Sequence, residues 1–140
     1  MPTAVTTGSP PSACSTDRRP RLVPRVPAGR APSFDVPEQG WTGISSLDAA
    51  ATLSADGRKL FVHLINLQAD QPMQVRLHIK GRTVNPDADA GQIAPQDFLS
   101  RNDFGVTNVY IQHNPVRGAS QDFTQTLPPH SATILEINLK

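Results

Sequence analysis

The chain has 140 residues, a formal net charge of +1 and a hydrophobic content of 37%. Its length suits one domain and excludes a (β/α)8 barrel, which needs about 250 residues. The near-neutral charge gives no reason to expect a nucleic-acid partner. The longest apolar run, residues 60–67, is far shorter than the roughly 20 residues of a membrane span, and no apolar stretch follows Met1. We therefore expect a cytoplasmic protein with no membrane partner.

Residues 1–30 differ from the rest of the chain in composition. They are rich in proline and small polar residues, and they carry a cluster of arginines: Arg18, Arg19, Arg21, Arg25 and Arg30. Such a segment has little apolar surface to bury, so ordering it costs entropy without compensation. We expect a disordered arm over residues 1–30 and one domain over residues 31–140. A basic arm for an anionic polymer is the alternative, although no aromatic residues are interleaved with the arginines.

From residue 32 onward the sequence pattern is that of β-strands. Apolar residues alternate with polar or small ones in residues 47–53 and again in residues 73–80, which is typical of half-buried strands. The pair Asp56-Gly57 predicts a hairpin turn. Further strands are predicted over residues 106–112, 123–127 and 132–139, with Thr133, Leu135, Ile137 and Leu139 on one face of the last.

Residues 59–67 are largely apolar on both faces, so we expect a central strand that is covered on both sides and a core role for His63. Residues 82–105 are a long polar stretch that Asn85-Pro86-Asp87 and Gly91 interrupt, and the sequence leaves their conformation open. Several short strands separated by turns predict an all-β, antiparallel β-sandwich that is jelly-roll-like.

The sequence offers no credible catalytic pair for hydrolysis of a glycosidic bond. That reaction usually needs two carboxylates, about 5–5.5 Å apart in retaining enzymes. The chain has only two glutamates, Glu38 in a loop and Glu136 in the last predicted strand. The histidines have no second ligand at a spacing typical of zinc sites. We predict no catalytic residue, no metal ligand and no cofactor.

Three aromatic side chains are candidates for sugar contact, because the C–H bonds of a sugar face stack on an aromatic ring. They are Trp41, Phe104 and Tyr110, and we place Asn102 and Asn114 with them as polar contacts. The spacing of the three rings is not diagnostic. Packing within the fold is the alternative role for each ring.

Several segments, taken in order, resemble the C-terminal domain of the α-L-arabinofuranosidases that join a barrel to a β-sandwich. They are SLDAAATLSADG at residues 46–57, LFVHLINL at 60–67, MQVRLHIKG at 73–81 and FTQTLPPHSATIL at 123–135. Residues 31–34 resemble the strand that enters that domain from the barrel. Asn102-Asp103-Phe104 and Asn108-Val109 lie where the family has an Asn-rich loop. The resemblance covers residues 31–140.

The resemblance implies an accessory, non-catalytic domain of a glycoside hydrolase that acts on arabinose-containing plant polysaccharides. The family's catalytic glutamates lie on the barrel, and no position here corresponds to them. The implied partner is the catalytic barrel or a sister subunit. The family's sandwich is also completed by chain from before the barrel, so an unpaired sheet edge is expected, with a homo-oligomer possible through it. A stand-alone carbohydrate-binding module, with arabinose-containing polysaccharide as its ligand, is the alternative.

Overall fold

The computed structural model describes residues 21–22, 31–97 and 99–140. This part of the chain is almost entirely β, which confirms the predicted all-β class. Within it, no helix has the length and apolar content needed to cross a membrane. A 3₁₀ turn spans Pro37–Gln39. The strands are β1 Arg21–Leu22, β2 Ser33–Val36, β3 Trp41–Ser45, β4 Leu47–Leu53, β5 Lys59–Asn66, β6 Met73–His78, β7 Val84–Ile93, β8 Gln112–Arg117, β9 Asp122–Leu127 and β10 Ser131–Leu139.

Antiparallel pairing joins these strands into one large sheet and two small ones. The main sheet has the order β1-β4-β5-β10-β7-β8, and the second sheet consists of β6 and β9. Strands β2 and β3 form a separate hairpin. Side chains of the main and second sheets form one hydrophobic core. The two sheets therefore pack face to face, as predicted for an antiparallel sandwich.

Strand β10 lies near the centre of the main sheet, between β5 and β7. Its Leu135 and Ile137 side chains are fully buried, and Thr133 is 1% exposed. The Thr133 hydroxyl accepts a hydrogen bond from Gln92 Nε2 at 2.9 Å, which satisfies this buried polar group. The inward face predicted for the last strand is confirmed.

The hairpin turn predicted at Asp56-Gly57 is also confirmed. Ser54 N donates to Lys59 O at 2.8 Å and Gly57 N donates to Ser54 O at 2.9 Å. Gly57 has a φ of 71°, in the region that favours glycine. The Asp56 carboxylate accepts hydrogen bonds from the Ser54 hydroxyl and from Arg58 N. The bond from Ser54 is the main cause that lowers the pKa of Asp56.

Strand β7, Val84–Ile93, forms within residues 82–105, whose conformation the sequence left open. Its inward side chains Ala88 and Ala90 are 8% and 2% exposed, but they are small and give only a weak hydrophobic pattern. The strand forms because it pairs with β10 on one side and β8 on the other. Pro86 lies where the pairing of β7 with the end of β10 shifts register. Proline has no backbone N–H to donate, and at such a bulge no ladder hydrogen bond is required from that residue.

The prediction of a strand over residues 106–112 is wrong. Strand β8 begins only at Gln112, and the preceding residues form a loop that contains one isolated bridge, between Asp103 and Val106. Pro115 is tolerated in β8 because β8 pairs only with β7 among the described strands, and an edge strand can lack a donor.

Only one face of β5 is buried, so the prediction of a strand covered on both sides is wrong. Val62 and Leu64 face the second sheet and are 4% and 1% exposed, whereas Ile65 on the opposite side is 38% exposed. His63 lies half-buried on that opposite side and not in the core. The reason is that the second sheet covers one side of the main sheet only. We call the uncovered side the outer face.

Two residues of the N-terminal arm belong to the main sheet. Arg21 pairs with Leu53 and Leu22 with Thr52, at the edge of β4. The sequence did not predict this pairing, because the whole arm was expected to be disordered. The rest of the arm, residues 1–20 and 23–30, lies outside the described residues.

Candidate functional site

Three of the five candidates for sugar contact lie in the loop between β7 and β8, residues 94–111, which we call the long loop. The side chain of Asn102 organises it. Asn102 Oδ1 accepts from the backbone N–H of Asn108 at 2.9 Å and of Val109 at 2.7 Å. Its Nδ2 donates to Val109 O at 2.8 Å. These bonds use the oxygen and one N–H of the amide, so one N–H is left for a ligand.

The ring of Phe104 projects from this loop into solvent. Phe104 is 103% exposed, and it lies with Gly105 in a tight turn closed by two backbone hydrogen bonds between Asp103 and Val106, of 3.0 and 2.9 Å. Gly105 has a φ of 77°, which suits glycine at this turn. Phe104 therefore contributes nothing to the core, and the packing alternative does not hold for it.

The other candidates are distributed over several elements. Tyr110 is 56% exposed at the end of the long loop, and its hydroxyl accepts from Gln112 Nε2 at 3.2 Å. Trp41 begins β3 in the separate hairpin and is 59% exposed. Asn114 on β8 lies opposite Ala90, so it projects on the side that faces the second sheet. The structure thus groups Asn102, Phe104 and Tyr110 in one loop and places Trp41 in a different sheet.

The long loop is fastened to the end of the sandwich from which it leaves. The ring nitrogens of His130 lie 2.5 Å from Ala69 O and 2.9 Å from Pro95 O. This histidine thereby ties the turn before β10 to the turn after β5 and to the start of the loop. Beside it, Asn66 is 1% exposed and bonds to three backbone groups of the neighbouring turns. Hydrogen bonds therefore connect the start of the long loop to the sandwich.

The two glutamates lie on separate elements, Glu38 in the 3₁₀ turn and Glu136 on β10. Glu38 is exposed in the hairpin, whereas Glu136 on β10 accepts a hydrogen bond from Lys59 Nζ, which raises the pKa of Lys59. The hydrogen bond from Arg76 lowers the pKa of Asp122, the opposite of what a glycosidase general acid needs. Over residues 31–97 and 99–140, no three His, Cys, Asp or Glu side chains are grouped to hold a metal ion.

A groove of about 200 Å³ opens where the chain approaches β4. Its apolar lining includes Pro32, Leu47, Met73 and Val75. In the described residues β6 pairs only with β9, and β1 covers only two residues of β4. Among the described residues, both strands therefore have an unpaired edge beside the groove, at which a further strand could pair.

Three exposed isoleucines lie on the outer face, and the sequence pattern did not predict their exposure. Ile65 is 38% exposed, Ile134 45% and Ile111 59%. Gly91 is the β7 partner of Ile134, and a Cβ at Gly91 would lie 3.6 Å from Ile111 Cγ2. The sequence does contain a signal for this surface. Ile65 and Ile134 alternate with the inward residues of their strands, so their side chains project to the opposite side of the sheet.

No protein-family model and no curated protein matches the sequence. Solved structures do match it. The α-L-arabinofuranosidase from Thermotoga maritima, in complex with arabinose, is similar over 69% of this chain, with 26% identity and a TM-score of 0.65. The GH51 enzyme from Thermotoga petrophila RKU-1 is similar over 68%, with 26% identity and a TM-score of 0.63. The chain resembles part of the α-L-arabinofuranosidases.

This finding confirms the resemblance carried by the strand segments of the sequence. The GH51 arabinofuranosidase from Xanthomonas axonopodis pv. citri is similar over 76% of this chain, with 17% identity and a TM-score of 0.61, and at that identity it shows the fold alone. This chain spans only 20% of the Thermotoga enzymes and 21% of the Xanthomonas enzyme. The likeness to the arabinofuranosidases is therefore a likeness to a minor part of them.

Proposed function

We propose that the chain is an accessory, non-catalytic β-sandwich domain of an α-L-arabinofuranosidase, which acts on arabinose-containing plant polysaccharides. The observation that carries the proposal is the match to the Thermotoga maritima enzyme, at 26% identity over 69% of this chain but over only 20% of that one. The remainder of such an enzyme is long enough for a catalytic barrel, which needs about 250 residues. The placement of Glu38 in the 3₁₀ turn and of Glu136 on β10, two separate elements, supports a non-catalytic role.

In this proposal the groove beside Pro32 faces the catalytic barrel. An added strand from the rest of the enzyme fits there, since it forms backbone hydrogen bonds with the open edge of β4 or β6 and covers Leu47 and Met73. Segment 31–34, which resembles the connection from the barrel, leads directly to this groove. A C-terminal position in the enzyme, jelly-roll-like connections, a cytoplasmic location and a role in arabinose metabolism belong to the same proposal.

An antibody against residues 31–140, applied to extracts of the source organism, tests the proposal. We expect a band well above 15.1 kDa, because the catalytic barrel is attached to this domain. The immunoprecipitated material should hydrolyse para-nitrophenyl α-L-arabinofuranoside, whereas the purified 140-residue chain should not. A band at 15.1 kDa without associated hydrolysis contradicts the accessory role, and hydrolysis by the purified chain contradicts the non-catalytic one.

The second candidate function is a stand-alone carbohydrate-binding module. The specific observation in its favour is the pair of exposed rings, Phe104 and Tyr110, on a loop that Asn102 holds in place. Isothermal titration of the full chain with arabino-oligosaccharides tests it, with Phe104→Ala as the site variant and Ile134→Ala as the control on the outer face. The module is supported if the wild type and Ile134→Ala bind the sugar and Phe104→Ala does not. No heat of binding at millimolar sugar excludes it.

A further inference from the structure

The connections between strands lie at two opposite ends of the sandwich, because neighbouring strands run antiparallel. One end holds the long loop and the turns that follow β5 and β9. These connections carry three carboxylates and one guanidinium: Asp70, Asp97, Asp103 and Arg101. This end of the sandwich is therefore acidic.

The opposite end, which we call the basic end, consists of the connections at residues 54–58, 79–83 and 118–121 together with Lys140 after β10. Its connections carry one carboxylate, Asp56, and four exposed cations: Arg58, Lys80, Arg82 and Lys140. The net charge of +1 for the whole chain therefore conceals an uneven distribution of charge along the strands.

Backbone hydrogen bonds hold the connections of the basic end side by side. Leu139 N donates to Arg58 O at 2.7 Å, and Lys140 N donates to Thr83 O at 2.9 Å. Because neighbouring strands lie about 4.8 Å apart, the main chains of Arg58, Lys140 and Arg82 form a row of about 10 Å. A row of cations suits a polymer with repeated anionic groups, since each cation can meet a different group.

The side chain of Arg82 adds a second cation to the hairpin turn before β5. A Cβ at Gly57 would lie 3.8 Å from Arg82 Nη2, so the guanidinium lies beside the turn that contains Arg58. The Asp56 carboxylate in this turn accepts hydrogen bonds from the Ser54 hydroxyl and from Arg58 N. Among the described residues, none of the four cations of the basic end forms an ion pair. Gathered cations repel one another, and an anionic ligand relieves that repulsion.

The carboxylates on the strands near the basic end do not neutralise these cations. Each of the three lies opposite a cation of its own: Glu136 is bonded to Lys59, Asp122 is bonded to Arg76, and Asp87 is opposite Arg117. In the 140-residue chain the main-chain carboxylate of Lys140 adds one negative charge. The four cations therefore still outnumber the carboxylates that remain to balance them.

The arginine-rich arm joins the main sheet at the same end. Strand β1 is antiparallel to β4, and Arg21 pairs with Leu53, the last residue before the hairpin turn. The chain that precedes Arg21 therefore enters the sheet at the basic end. Arg18 and Arg19 come just before this junction in the sequence. Two separate sets of cations, one from the arm and one from the connections, thus belong to one end of the domain.

We propose that the basic end binds a polysaccharide that carries carboxylate groups, as a polymer of uronic acids does. A guanidinium can form two parallel hydrogen bonds with a carboxylate, and an ammonium group pairs with it as a point charge. The choice of a polysaccharide among anionic polymers rests on the function proposed above. In the accessory role, this contact holds the enzyme on an acidic polymer that also bears arabinose.

The composition of the basic end favours a polysaccharide over a nucleic acid. Proteins that bind single-stranded nucleic acids stack the bases on aromatic side chains. In the part of the chain that the structure describes, every exposed large hydrophobic side chain lies outside the basic end. The basic end thus offers charge without rings for stacking.

Fluorescence anisotropy of an end-labelled oligogalacturonate, titrated with the full chain at low ionic strength, tests the proposal. Arg82→Glu and Lys140→Glu should each weaken binding roughly fivefold, because each replaces an exposed ion-pair attraction by a repulsion. Arg101→Glu on the long loop is the matched control. It changes the net charge by the same amount at the acidic end, so it should change the affinity less than about twofold. About 1 M sodium chloride should abolish binding, because it shortens the screening length to about 3 Å.

Three results overturn the proposal. The first is that the full chain does not bind the oligogalacturonate at low ionic strength. The second is that Arg101→Glu weakens binding as much as Arg82→Glu does. The third is that single-stranded DNA binds more tightly than the oligogalacturonate and is weakened by the same variants, which identifies a nucleic-acid site. Circular dichroism shows whether each variant is folded, and Lys140→Glu, which lies after the last strand, decides the question if Arg82→Glu is not folded.

The accessory role and the basic end can fail separately. The accessory role is tested by the size of the native polypeptide and by hydrolysis in the immunoprecipitate, neither of which depends on galacturonate. If the chain proves to be free-standing, binding that the two variants weaken still locates an acidic polysaccharide at the basic end. If the catalytic barrel is attached but the oligogalacturonate is not bound, only the inference about the basic end is wrong.

Discussion

Two adjacent residues of β5 have opposite surroundings. Leu64 points into the core and is 1% exposed, whereas Ile65 points to the outer face and is 38% exposed. The alternation of side chains along a strand produces this difference between residues of nearly equal hydrophobicity. In the long loop, Asn102 likewise shows how one side chain fixes the position of others, because its amide holds Asn108 and Val109.

Leu64→Ala should lower the free energy of unfolding by about 2–5 kcal/mol, since it removes buried methyl groups and leaves a cavity. Urea unfolding followed by circular dichroism measures this change. Ile65→Ala is the matched control and should cost less than about 1.5 kcal/mol, because its side chain is already partly in water. A loss below about 1 kcal/mol for Leu64→Ala is incompatible with Leu64 in the core.

Asn102→Ala should speed amide hydrogen exchange at Asn108 and Val109 by about five- to tenfold, because each loses a hydrogen bond worth about 1 kcal/mol. Asn102→Asp keeps the accepting oxygen and loses only the donor to Val109 O, so its effect at these two amides should be smaller. Amides of β10 should be unchanged in both variants. Hydrogen-exchange mass spectrometry with residue resolution measures all three, and equal protection in Asn102→Ala and the wild type rules out this role for the side chain.

In the part of the chain that the structure describes, the second sheet consists of strands β6 and β9, and a surface ion pair connects them. Arg76 and Asp122 are joined by two hydrogen bonds, and His78 Nδ1 lies 3.6 Å from Asp122 Oδ2. The hydrogen bond with Arg76 lowers the pKa of Asp122, with a smaller contribution from His78. The same bond raises the pKa of Arg76.

The sign of this shift gives a pH prediction. Because the pKa of Asp122 is lower in the folded chain than the unfolded value of about 3.9, its stabilisation is present above that value and is lost as pH falls through the folded pKa. Asp122→Asn should therefore lower the urea midpoint near neutral pH, and the difference from wild type should vanish in strong acid. Asp70→Asn, at an exposed aspartate with no ion pair among the described residues, is the control. A difference that grows as pH falls contradicts the prediction.

The elements that could be predicted from the sequence are those in which alternation is strong. Strands β6, β9 and β10 follow the pattern because most of their inward residues are large, and β4 does so because a leucine stands at each end of its inward side. The turn at Gly57 follows the pattern because it needs a positive φ. Strand β7 could not be predicted, because Ala88 and Ala90 carry little hydrophobic signal and the strand depends on pairing with partners far away in the sequence. Local pattern does not contain that information.

At the scale of the whole molecule, three surfaces lie on different sides of one sandwich. The groove lies at the edges of β4 and β6, the outer face on β5, β10 and β7, and the long loop leaves one end near β8. About 19 Å separate β4 from β8 across the main sheet, at four strand spacings. Sequence could suggest Phe104 and Tyr110 as exposed rings, but not which side of the sheet Ile134 occupies, because that depends on which side the second sheet covers.

The position of β10 also determines when the domain can fold during synthesis. Strands β5 and β7 have no pairing with each other, and only β10 connects them. Residues Ser131–Leu139 must therefore leave the ribosome before the main sheet can assemble. The ion pair of Lys59 also cannot form earlier, because its partner Glu136 lies 77 residues later in the chain. Closing so long a loop is slow. Until then the nascent chain exposes β5 and β7 with free edges, so chaperones should bind it before its last strand is made and release it soon afterwards.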